Sequence, residues 1–277
     1  MSDRLRAAQA KVNRTHGQFE ELASEIAAFC ETRPYRMTFV PDIETGDQIV
    51  SVELAPITKA IEWGVRIGEI VHNLRSALEH VVWQAIEANG NIPSPGITGF
   101  PLCTSQSEFD SPRTKRMING VSDEVRTLIY EFQPLHQTQK EGDPKAHILY
   151  VLNELWNIDK HRLLHVCSTI ANVSVDDVRS EGRIRIENLV IREAGRIDRK
   201  AEIARYRLVE DLPVQGKVQV DAKITYDIAL DESGPSITHG APVRVAIPIF
   251  ARYVAATLDK FSAVIDQAGG DLTVALS

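Results

Sequence analysis

Residues 2–32 carry Leu5, Val12, Phe19 and Ile26 at intervals of seven, with Ala8, Leu22 and Phe29 forming a second row. Such spacing draws an apolar seam along one long helix, which is expected to pack along another helix, in this chain or in a second copy. Pro34 stops it. Tyr35–Val40 and Gln48–Ala55 then flank the turn Glu44-Thr45-Gly46-Asp47, a pattern that predicts a β-hairpin. Pro56 closes the hairpin, and a second long helix is predicted from about Thr58 to Asn89. A Gly/Pro-rich connection runs from Asn89 to Pro101.

Residues 107–119 and 122–133 read as two short helices, the second capped by Ser122 with acidic residues in its first turn. His147 to about Leu164 is again helical by its period. The pattern then changes: His165–Val175, Arg183–Arg192 and Ile203–Val209 are short and rich in β-branched residues. Lys217–Leu230 alternates more clearly than any other segment, with Val218, Val220, Ala222, Ile224, Tyr226, Ile228 and Leu230 on one side. A period of two predicts an antiparallel strand with one face on the core and one toward water. Pro248 is expected to open a C-terminal helix striped by Phe250, Val254, Leu258, Phe261 and Ile265.

These elements predict an α+β fold, with a layer of about four to five helices interleaved with an antiparallel sheet of about six to seven strands. Residues 1–277 are expected to form a single interleaved unit: a helix-rich portion 1–164, a strand-rich portion 165–247 and a C-terminal helix 248–268.

Composition narrows the function classes. Hydrophobic residues make up 43% and charged residues 25%, the usage of an ordinary globular chain. A net charge of −7 argues against broad coating of nucleic acid or attraction to an anionic membrane, and 6% aromatics argues against a base-stacking platform. The stretch from Met1 to Phe19 lacks the apolar core of a signal peptide, and no segment approaches the roughly 20 apolar residues of a membrane span. Cys30, Cys103 and Cys167 are dispersed and odd in number, which reads as reduced thiols in a cytoplasmic protein.

The chemistry concentrates on the second helix, at Gly68-Glu-Ile-Val-His-Asn-Leu-Arg-Ser-Ala-Leu-Glu-His80. At about 100° per residue, Ile67, Ile70, Val71, Leu74, Leu78, Val81, Val82 and Ala85 make a wide apolar arc, which Ile61, Val65, Trp83 and Ile86 extend. His72, Arg75 and Glu79 fall within that extension and are predicted to be largely buried. On the helix at 147–164, Asp159 lies amid the apolar side with Arg162 at its edge, while Asn153, Asn157 and His161 point away. A buried carboxylate needs a partner, and a guanidinium grips one through two parallel hydrogen bonds. Arg75 with Asp159 is therefore the expected centre of a network that also holds His72, Glu79 and Arg162. Such a network either fixes the register of the helix seam or lines a polar pocket in which His72 or Glu79 handles protons.

The pair His72-Asn-Leu-Arg-Ser-Ala-Leu-Glu-His80 and Asn153-Glu-Leu-Trp-Asn-Ile-Asp-Lys-His-Arg162 resembles a motif pair of uncharacterised, actinobacterial-type bacterial proteins across residues 66–165. That resemblance implies two cooperating helices and no particular reaction. Arg75 and His80 are also similar to the Arg-x4–6-His motif of HEPN domains, which often act as metal-independent ribonucleases. There the Arg would hold phosphate charge and the His would act as general acid or base. Ser76 stands where that motif has Asn, Asp or His, and residues five apart on an unbroken helix diverge by about 140°.

Glu69-x-x-His72 lacks the matching Glu-x-x-His of a di-iron site, since on the facing helix Glu154 has Asn157 where the His should be. His161-x-x-x-His165 lacks the Glu of a zinc protease. No dinucleotide, P-loop or hydrolase-elbow motif occurs. Arg179–Arg207 is locally basic but alternates with apolar residues, as the wet face of a sheet does. The expectation is thus a binding or assembly module with no cofactor and no metal, in which His72, Arg75, Glu79, Asp159, His161 and Arg162 form the site. The N-terminal helix is a candidate homodimer seam. The alternative is a HEPN-like ribonuclease with Arg75 and His80 as its catalytic pair and RNA as its partner.

Overall fold

The computed structural model of the chain describes residues 5–140, 142–180, 184–192, 195–197, 199–210, 218–232 and 234–274. It is α+β. The helices are α1 (Arg6–Glu31), α2 (Ala60–Ala88), α3 (Gln106–Phe109), α4 (Pro112–Met117), α5 (Asp123–Glu131), α6 (Ile148–Asp159) and α7 (Val243–Val274). The strands are β1 (Tyr35–Pro41), β2 (Gln48–Leu54), β3 (Val166–Ser180), β4 (Ile184–Ile191), β5 (Gly195–Arg196), β6 (Lys200–Glu210) and β7 (Val218–Leu230).

The seven helices among the described residues exceed the four to five expected: six helical segments are marked by the sequence pattern, and the one at 107–119 is two. Ser111 caps α4 by accepting from the Thr114 N–H at 3.2 Å, and Pro112 occupies its first turn, so the chain restarts after α3. Helix α6 stops at Asp159, leaving His161 and Arg162 beyond its end. Helix α7 begins before Pro248, because the Pro242 carbonyl accepts from Val245 and Ala246 N–H, both at 2.9 Å. Pro248 therefore sits inside the helix, where it forfeits one backbone bond.

The strands form two antiparallel sheets instead of one, ordered β1-β2-β6-β4 and β5-β3-β7. The central strands β2, β6 and β3 have a partner on each side, while β1 and β4 edge the first sheet and β5 and β7 the second. The β1–β2 hairpin pairs Tyr35 with Leu54 through Pro41 with Gln48. Basic residues on β6 are answered by this hairpin and by β6 itself: Arg205 pairs with Asp42 at 2.6 Å and with Glu202, and Arg207 with Asp47 at 2.8 Å. On β7, Tyr226, Ile228 and Leu230 are buried as the alternation requires, yet Asp227 and Ala229 are buried too. Asp227 is covered because Arg244 of α7 reaches it through Nε at 3.0 and 3.2 Å. Arg183 and Lys217 lie outside the described residues, as do the side chains of Val218, Val220 and Ala222.

The core gathers α1, α2, α6 and α7 against β3 and β7, with Trp63, Leu74, Leu78, Leu152, Ile228 and Phe261 fully enclosed. The apolar seam of α1 is consumed within the chain: Leu5, Ala8, Val12, Leu22 and Ile26 are buried where α1 packs on α2 and α7. Among the described residues no helix is long and apolar enough to cross a membrane.

Candidate functional site

Arg75 is buried on α2, 4% exposed, but its partner is not Asp159. Its Nη1 forms an ion pair with Glu79, one turn along the same helix. Its Nη2 donates to the Phe100 carbonyl at 2.9 Å, and Nε donates to Asn153 Oδ1 on α6 at 3.0 Å. Glu79 completes a clamp, because its Oε2 accepts from the Phe100 N–H at 3.0 Å. Both backbone groups of Phe100 are thus held by one ion pair, much as a neighbouring strand would hold them. Gly99 permits this approach, since a Cβ there would overlap the Glu79 carboxylate. The Phe100 ring goes into the core and meets Phe261 edge-on at 5.9 Å. Burial lowers the proton affinity of Arg75, while Glu79 raises it.

Asp159 lies against Gly68, where again a Cβ would overlap the carboxylate. Gly68 is seven residues from Arg75, about 10 Å along the helix axis. Trp156 fills the space between. Its ring lies 5.1 Å from the Arg75 guanidinium carbon and carries the Lys160 ammonium 2.9 Å from its centroid. Its Nε1 donates to His72 Nδ1 at 3.2 Å. That bond leaves the His72 proton on Nε2 when the ring is neutral.

Trp156 therefore divides the predicted cluster between two grooves. His72, Asp159 and Arg162 line a groove of about 730 Å3 with Arg14, Glu69 and Asn73. His72 is exposed, contrary to the burial expected for it, and so are Ile61 and Val65, at 70% and 46%. The buried arc of α2 is narrower than its sequence predicts, because α1 and α6 leave that flank uncovered. Burial pushes the Asp159 carboxyl above its ordinary range, opposed by His72 and reinforced by Glu69. Arg75 and Glu79 instead line a groove of about 1210 Å3 between the 89–105 connection, α4 and α6.

His161 is exposed past the end of α6 and lines neither groove. His80 turns toward α1; burial and the charge of Lys11 lower its proton affinity. Arg75 and His80 consequently do not face a common groove within the chain, as their 140° divergence on an unbroken helix requires. Asn153 and Asn157, expected to point away, line the large groove with Trp156 and Lys160, and Asn153 bonds to Arg75. Asn153, Trp156 and Lys160 repeat the i, i+3, i+7 spacing of His72, Arg75 and Glu79, a signal that two polar stripes oppose one another.

A comparison with known proteins finds no matching family model, no matching curated protein and no matching solved structure.

Proposed function

We propose that the protein is a binding module whose ligand enters the groove of about 1210 Å3 beside Trp156. The carrying observation is how Arg75 spends its donors. Its three nitrogens reach Glu79, Asn153 and the Phe100 carbonyl, so the buried ion pair holds the groove wall. Around that fixed wall the groove stays open and mixed in character, with Tyr150 and Trp156 beside hydroxyls, amides and charges. Sites of this kind bind by concavity together with a few placed polar groups.

The test is a thermal-shift screen of a chemically diverse compound set on wild type and on Ser107→Trp. Ser107 is exposed on the groove wall, so the indole fills the groove without entering the core. Compounds that raise Tm in wild type and fail in Ser107→Trp support the reading. No stabilising compound, or equal shifts in both proteins, counts against it.

A further inference from the structure

The charge of the large groove runs against that of the whole chain. With Arg75 and Glu79 cancelling, its charged residues are Arg113, Arg116, Lys145 and Lys160 against Glu108 and Glu154, an excess of two positive charges in a chain of net −7. None of the four cations has an ion-pair partner among the described residues, whereas both carboxylates are engaged. Glu108 accepts from the Thr104 N–H at 2.7 Å and from its hydroxyl at 3.0 Å. Glu154 accepts from Asn157 at 3.2 Å.

Lys160 is the informative cation. It sits on one face of Trp156 with Arg75 beyond the ring, and Arg75 is already committed to Glu79. Burial and the charge of Arg75 both disfavour the Lys160 ammonium, with Glu79 opposing them. An anion entering the groove relieves that strain directly. Arg113 and Arg116 lie on one short helix, three residues apart, so their guanidinium forks approach from one wall. Two forks and two ammonium groups suit a compact multiply charged anion better than a single carboxylate. The volume exceeds the roughly 300–1,000 Å3 of ordinary small-molecule sites, leaving room for an organic body. The Tyr150 hydroxyl lines that space with no hydrogen-bond partner among the described residues.

We infer that the groove binds a small organic phosphate carrying two or more negative charges, its phosphate held by Arg113, Arg116, Lys145 and Lys160. This rests on the binding-module reading above and names its ligand class. The experiment is isothermal titration calorimetry at low salt with inorganic pyrophosphate and adenosine diphosphate, with citrate and sulfate as comparison anions. Wild type should bind both phosphates more tightly than citrate or sulfate. Arg113→Glu/Arg116→Glu, two exposed positions, should weaken binding about tenfold or more with its circular dichroism unchanged. Arg252→Glu, exposed on α7 away from the groove, should bind as wild type does.

Absence of phosphate binding, equal affinity in the double variant, or equal affinity for citrate overturns the inference. So does binding of a short RNA that pyrophosphate cannot displace, which would make the partner a nucleic acid. If uncharged compounds stabilise wild type but not Ser107→Trp while phosphates do not bind, the ligand class alone is wrong. If nothing binds in the groove, both readings fall.

Discussion

Removing the Arg75–Glu79 pair distinguishes a clamp on the backbone from an ordinary buried ion pair. Arg75→Ala strands the Glu79 carboxylate and takes partners from the Phe100 carbonyl and Asn153. Breaking one side of a buried pair typically costs about 3–5 kcal/mol, and that is the loss expected. The double variant Arg75→Leu/Glu79→Leu is more telling. For an ion pair bonded only to itself, replacing both members by apolar residues is often neutral or stabilising. Here the Phe100 N–H and C=O are both orphaned, at about 1–3 kcal/mol each. The double variant should therefore stay about 2 kcal/mol or more below wild type. Urea unfolding followed by far-ultraviolet circular dichroism measures both variants. A double variant within about 0.5 kcal/mol of wild type would refute the clamp.

Gly99→Ala should destabilise by about 1–3 kcal/mol in the same assay, because its methyl group displaces the Glu79 carboxylate from the Phe100 N–H; unchanged stability would remove the steric argument. His147 caps α6 by accepting from the Leu149 N–H through Nδ1 and meets Tyr253 through Nε2, and burial with the nearby His136 depresses its pKa to about 4. The folded state then binds fewer protons than the unfolded one between about pH 4 and pH 6.5. The contribution is fully present above pH 6.5 and is lost as pH falls toward 4. His147→Asn keeps a capping acceptor without the titration, so its Tm should fall less than that of wild type over this window; parallel Tm curves would contradict this. Labelled RNA incubated with wild type in EDTA should stay intact, since Arg75 is committed elsewhere and His80 faces α1. Cleavage that disappears in a folded His80→Ala would establish the ribonuclease reading instead.

Periodicity was informative wherever the backbone is regular. The seam of α1, the hairpin around Gly46 and the burial of Tyr226, Ile228 and Leu230 were legible, because in each the side-chain period follows the regular backbone. The burial of Asp227 and Ala229 was not, since Asp227 is covered by Arg244 of another element. The site was legible in membership and not in pairing. Arg75 and Glu79 could be placed toward the interior from their angle on α2. Their partner could not, because the Phe100 backbone comes from an irregular connection that no period describes. Asp159 looked like the natural counter-ion because charge suggests charge. The position of α6 along α2 brings Asn153 to Arg75 and puts Trp156 between Arg75 and Asp159's place at Gly68. Lys160 and the α4 arginines were unremarkable as surface cations, and only the fold gathers them around one groove.

The most direct test follows the three tryptophan indole N–H signals by nuclear magnetic resonance while pyrophosphate is added to wild type. Trp63 and Trp83 donate to Glu25 and Glu87, outside the groove, whereas Trp156 carries Lys160 on its ring and bonds to His72. The expected result is a saturable shift of the Trp156 signal with the other two unmoved. A Trp156 signal that stays fixed at saturating pyrophosphate, or three signals that drift together without saturating, would contradict a phosphate-binding groove beside Trp156.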